Sequence, residues 1–98
     1  MDDVQELAEL FKALSDPTRL RLVQLLHEHQ GALCVNALAH KLGVTQSAVS
    51  QHLRVLRHTG LVQGSRHGPR VHYTLQEEGL KRTRKALAET LGRESEPG

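Results

Sequence analysis

At 98 residues, with no second hydrophobic block, the chain holds one small domain, near the size at which burial alone is marginal and association of copies supplies the remaining stability. Aliphatic side chains dominate its apolar set and Phe11 and Tyr73 are its only aromatics, which argues against a β-sandwich and for leucine-rich helices packed on one another. The formal net charge of +2 conceals an uneven distribution: every Asp and Glu lies at or before Glu28 or at or after Glu77, so residues 29–76 hold no carboxylate.

Val4, Leu7, Ala8, Phe11 and Leu14 recur at helical spacing and predict an amphipathic first helix with Gln5, Glu6, Glu9 and Lys12 outward. Asp16 is then a natural N-cap and Pro17 suits the first helical position, where the missing N–H is not needed. A second helix is expected through TRLRLVQLLHEH to Gly31, with Leu20, Val23 and Leu26 or His27 on its buried side. CVNALAHKLG predicts a short third helix with Val35, Leu38, Ala39 and Leu42 inward, ended by Gly43 in the left-handed conformation. Thr45 caps a fourth helix that Gly60 stops, and two helices joined by such a tight turn form a helix-turn-helix. LVQGSR, the turn HGP and RVHYTL predict a β-hairpin, or wing, because Val71, Tyr73 and Leu75 alternate with His72 and Thr74 at period two. Residues 76–91 return to helix with Leu80, Thr83 or Arg84, Leu87 and Leu91 on one face, and residues 92–98 are expected to be a disordered tail. The expected architecture is mostly α, a single winged helix-turn-helix domain over residues 1–98 with five helices and a two-stranded wing.

The carboxylate-free middle carries Lys41, Arg54, Arg57, Arg66, Arg70 and six of the seven histidines, the footprint of a surface that binds a polyanion. Spaced about 100° apart around a helix axis, Gln46, Arg57, Ser50, Arg54, Ser47, His58 and Gln51 fall in one arc of about 140°, and Val55, Ala48, Leu56, Val49 and Leu53 in the other. The outer arc is therefore amide, hydroxyl and guanidinium, with the short residues in the first two turns, where a recognition helix approaches the bases. Gln pairs with adenine edges, Ser with several bases, and Arg with guanine or phosphate. His52 points into the apolar arc and is read as a packed, hydrogen-bonded histidine.

An enzyme is not indicated, since no nucleophile and base, carboxylate pair or phosphate-cradling glycine loop is present. MDDVQELAEL has neither the basic nor the apolar region of an export signal, and no apolar run approaches the roughly 18 residues of a membrane span, so a cytoplasmic protein with no membrane partner is expected. The alternative to a DNA reader is a winged-helix protein-interaction adaptor without base reading. Such an adaptor has no reason to exclude carboxylates from residues 29–76.

LSDPTRLRLVQLL, LCVNALAHKLGVTQSAVSQHLRVLRHTGLV and GPRVHYTL, in that order, resemble the ArsR/SmtB family of winged helix-turn-helix transcriptional repressors, from about Val4 to Leu91. The resemblance implies a homodimer formed by the first and last helices, here through Leu7, Phe11, Leu80, Leu87 and Leu91. It implies a palindromic double-stranded DNA operator, and release of that DNA by an inducer. It also implies base-facing Gln46, Ser47, Ser50 and Gln51, Thr45 at the helix start, Arg54 on phosphate, and wing contacts from Arg66, His67 and Arg70.

The family's metal sites are not reproduced. Many members open the third helix with two cysteines one residue apart, where this chain has Cys34 and Asn36. The site across the last helices falls on Glu77, Gly79, Thr90 and Arg93, of which only Glu77 can bind a metal. No cofactor is expected from these positions. The seven histidines and Cys34 leave open a transition metal at a non-standard site, and Cys34 is the one candidate thiol sensor.

Overall fold

The structure, a computed structural model, describes residues 3–29 and 33–92. Its elements run α1 (Asp3–Leu14), α2 (Pro17–Glu28), β1 (Leu33–Cys34), α3 (Val35–Leu42), α4 (Gln46–His58), β2 (Val62–His67), β3 (Arg70–Leu75) and α5 (Glu77–Leu91). The starts and stops follow local chemistry. Asp16 Oδ1 accepts from the backbone N–H groups of Thr18 (2.8 Å) and Arg19 (3.1 Å), with Pro17 at the first helical position of α2. Gly43, at φ 68°, ends α3 with its own N–H on the His40 carbonyl and that of Val44 on the Ala39 carbonyl, the paired bonds of a Schellman stop.

The core is made where α1, α2, α3 and α4 converge on the first residues after α4. Leu22, Leu38, Val49, Leu53, Leu56, Leu61 and Val62 are fully enclosed there, joined by Leu7, Leu10 and Leu26. Removing most of such a leucine side chain costs about 2–5 kcal/mol, so these positions hold α4 at a fixed depth. α2 departs from the expected register: Leu20 is 46% exposed, whereas Leu22 and Leu26 are buried. Leu20, Leu22, Val23, Leu25 and Leu26 offer apolar residues to more than one face, and packing against α4 selects the face that contains Leu22. The helix also ends at Glu28, with His29 as its cap; the expected end at Gly31 lies outside the described residues, as do residues 93–98 of the expected tail.

Among the described residues the sheet has three strands, not two. β1 pairs antiparallel with β3 (Leu33 opposite Tyr73, Cys34 opposite His72), giving the order β1-β3-β2. Leu33 and Cys34 were expected before and within a helix; the extended pair is too short to show alternation, and Cys34 instead stands at the N-cap position of α3. β2 and β3 are in full register from Val62–Leu75 to His67–Arg70. They are joined through Gly68 (φ 63°) and Pro69, the residue order a tight II′ hairpin turn requires.

Candidate nucleic-acid interface

α4 is fixed by its inner face and its ends, which leaves its outer face to the solvent. Val49, Leu53 and Leu56 are buried, while Gln46, Ser47, Ser50, Gln51, Arg54, Arg57 and His58 are exposed. The expected division of the helix holds with one exception: Val55, placed in the apolar arc, is exposed, because it sits at the edge of that arc beyond the reach of the core. Thr45 Oγ1 accepts from the Ala48 N–H (3.1 Å) and fixes the first turn, where the shortest outward residues lie.

Two polar contacts adjust the helix further. His52 is half-buried, and its Nδ1 accepts from Arg19 Nη1 at 3.2 Å; Arg19 also donates from Nε to the Ala13 carbonyl and from Nη2 to that of Lys12. One guanidinium thus ties the end of α1 and the start of α2 to the middle of α4, a link no local sequence pattern announces. At the other end, Gln46 Nε2 donates to Asn36 Oδ1 (2.9 Å), so the first outward residue of α4 is held by α3. The pair is ten residues apart in sequence, and only the sharp turn at Gly43 brings them together.

The wing faces α3 and the first residue of α4 across a groove of about 640 Å³ lined by Cys34, Asn36, His40, Gln46, Arg70 and Tyr73 among others. Arg66, His67 and Arg70 are exposed on the hairpin, and the rings of His67 and His72 stack with centroids 4.7 Å apart. Among the described residues, Arg54, Arg57, Arg66 and Arg70 pair with no carboxylate. An unneutralised cationic hairpin beside a helix bearing amides and hydroxyls can hold a phosphate backbone while the helix reads base edges.

The other expected positions are divided by the fold. Leu7, assigned to an interface between copies, is 8% exposed and belongs to the monomer's own core, because α1 packs with that face against α2 and α4. Leu80 is also partly buried against the core. Phe11, Leu87 and Leu91 remain exposed on α1 and α5, together with Val4. At the family's metal positions, Asn36 Oδ1 is engaged by Gln46, Glu77 Oε1 by Arg84 Nη2 at 2.8 Å, Gly79 offers no side chain, and Arg93 lies outside the described residues. Among the described residues no three His, Cys, Asp or Glu side chains are placed to share an ion, and no helix is long and apolar enough to cross a membrane.

Helix-turn-helix, a hairpin wing extended by β1 into a three-stranded sheet, and a cationic face define a winged helix-turn-helix DNA-binding regulator. Comparison with known proteins narrows the class. The sequence pattern of the bacterial regulatory protein, arsR family, matches residues 16–63. A transcriptional repressor SmtB homolog of Synechocystis sp. is 41% identical over 93% of this chain and 67% of that protein. The crystal structure of a possible transcriptional regulator for arsenical resistance is 41% identical, covers 85% of this chain and 83% of that one, and superposes with a TM-score of 0.73. That of NolR from Sinorhizobium fredii is 32% identical over 94% and 90% of the two chains, with a TM-score of 0.72. The chain belongs to the ArsR/SmtB family of DNA-binding transcriptional regulators.

Proposed function

We propose that the protein is a cytoplasmic, non-catalytic repressor that binds a palindromic operator as a homodimer, with α4 of each protomer in the major groove and the wing on the phosphate backbone. The observation that carries this reading is the outward face of α4: base-pairing side chains held on a rigid helix, flanked by arginines with no carboxylate partner. Gln46, Ser47, Ser50 and Gln51 face the bases, Thr45 fixes the helix start, and Arg54, Arg66, His67 and Arg70 serve the backbone. The exposed Phe11, Leu87 and Leu91 supply the apolar contact between protomers.

The signal that releases the DNA does not act through either of the family's metal positions, since each retains at most one ligand per subunit and a zinc site takes three or four. Arsenite is expected to leave the complex intact. The test is fluorescence anisotropy on the fragment upstream of the protein's own gene, with random DNA as competitor, repeated with arsenite and zinc. Two protomers bound per palindrome, resistance to random competitor and indifference to one equivalent of arsenite are the expected results. Equal affinity for random DNA would point to an adaptor, and release by arsenite would overturn the ligand count.

A further inference from the structure

α5 meets the end of α4 backbone to backbone. Gly60, at φ 80°, ends α4 with its N–H on the Arg57 carbonyl (3.0 Å) while Leu61 donates to Leu56 (2.9 Å), a second Schellman stop. The Gly60 carbonyl faces the first turn of α5, where Gly79 is buried. A Cβ on Gly79 would lie 2.0 Å from Gly60 O and 2.9 Å from Gly60 C. Gly79 has no positive φ, so its backbone is open to any residue and only the space is closed. The Gln76 N–H straps the same joint by donating to the Leu61 carbonyl (2.9 Å), and Arg82 lies over it, its Nη1 3.4 Å from Glu6 Oε1 on α1.

We infer that Gly79 is a positioning residue for DNA binding: its contact with Gly60 fixes the angle between recognition helix and α5, and so the separation of the two recognition helices in the dimer. The inference rests on the homodimer reading above. Moving a carbon from 2.0 Å to ordinary contact at about 3.5 Å requires α5 to retreat by about 1.5 Å. Applied in both protomers, that moves the two recognition helices relative to each other by up to about 3 Å, the scale of the ~3.4 Å rise between base pairs. A side chain at residue 79 therefore changes the half-site spacing the dimer fits, with no change to any residue that faces DNA.

The test measures operator affinity for wild type, Gly79→Ala and Gln76→Pro, on fragments whose half-sites are moved together or apart one base pair at a time. Gly79→Ala is expected to bind the natural spacing about tenfold more weakly, the scale of one mismatched base pair, to keep its affinity for random DNA, and to prefer a spacing about one base pair different. Gln76→Pro, which removes the strap and leaves Gly79 intact, is expected to flatten the spacing preference. Wild type indifferent to spacing would overturn the dimer reading. Wild type sensitive to spacing, with both variants matching it, would overturn the role of the joint. Should either variant fail to fold, amide exchange in the wild type decides: the Gln76 and Leu61 amides are expected to open only with global unfolding, and rapid exchange there would refute a rigid joint.

Discussion

The two exposed surfaces of this molecule are built from different materials. On α4 and the wing, arginines pair with no carboxylate among the described residues, and the exposed neutral residues of α4 are amides and hydroxyls with Val55 beside them. On α1 and α5, cations and carboxylates are interspersed, Arg82 pairs with Glu6 and Arg84 with Glu77, and the exposed residues include Val4, Phe11, Leu87 and Leu91. Exposed ion pairs of this kind add little stability, so their meaning lies in the charge they cancel. One surface keeps its positive field for a polyanion; the other cancels it and offers apolar area, the composition that suits a second protein surface.

The comparison breaks most sharply if the apolar surface is charged. Leu87 is 39% exposed in the single chain, so Leu87→Glu is expected to leave the fold intact and yield a monomer by sedimentation. Operator affinity should then fall by roughly 10²–10⁴, the avidity lost when two linked binding modules act singly. A folded dimer would place the interface elsewhere. Next in size, Leu53→Ala, at a position 1% exposed, is expected to lower unfolding stability by about 2–5 kcal/mol in urea titration. On the opposite side of the same helix, Gln46→Ala and Ser50→Ala should leave stability nearly unchanged. Each should weaken operator binding by about 1–3 kcal/mol while random-DNA binding holds, whereas Arg70→Ala weakens both and lowers the salt dependence by about one phosphate contact. Equal losses on operator and random DNA for all three variants would show that α4 is not the reader.

Much of this contrast was legible in the chain because it depends on spacing and composition. The carboxylate-free segment, the caps at Asp16 and Thr45, and the inward Val49, Leu53 and Leu56 all follow from local rules. The misreadings arose where tertiary contacts choose between local options. α2 has apolar residues on several faces, and only packing decides for Leu22 over Leu20. β1 is two residues long and exists because β3 pairs with it. Leu7 shares a helical stripe with Phe11, and the fold divides that stripe between core and surface. The ties from Arg19 to His52 and from Asn36 to Gln46 join residues 33 and 10 apart, with no periodicity to mark them.

A smaller effect concerns the acidic half of the molecule. The Arg19 backbone N–H, donating to Asp16, holds that carboxyl below its ordinary range, helped by the Thr18 N–H and by the charge of Arg19. A carboxyl lowered in the folded state stabilises it above the unfolded value near pH 4, and the contribution is lost as pH falls through the folded value. Wild type should therefore lose stability on acidification more steeply than Asp16→Asn, which retains a good cap without the charge. Parallel acid profiles would remove the charge from the account.

The smallest expected effect tests whether the reading face is held or free. With one Gln46 amide hydrogen given to Asn36 Oδ1, the other and Oε1 remain for a base, the pair of groups that an adenine edge requires. Asn36→Ala frees the Gln46 side chain, which must then be ordered when DNA binds. A neutral hydrogen bond between exposed groups contributes about 0.5–1.5 kcal/mol, so operator affinity should fall by that amount and random-DNA binding should not change. In a double-mutant cycle the loss from Asn36→Ala should disappear once Gln46 is already alanine. If it persists undiminished, Asn36 acts on DNA by itself and the bond between α3 and α4 does not organise the reader.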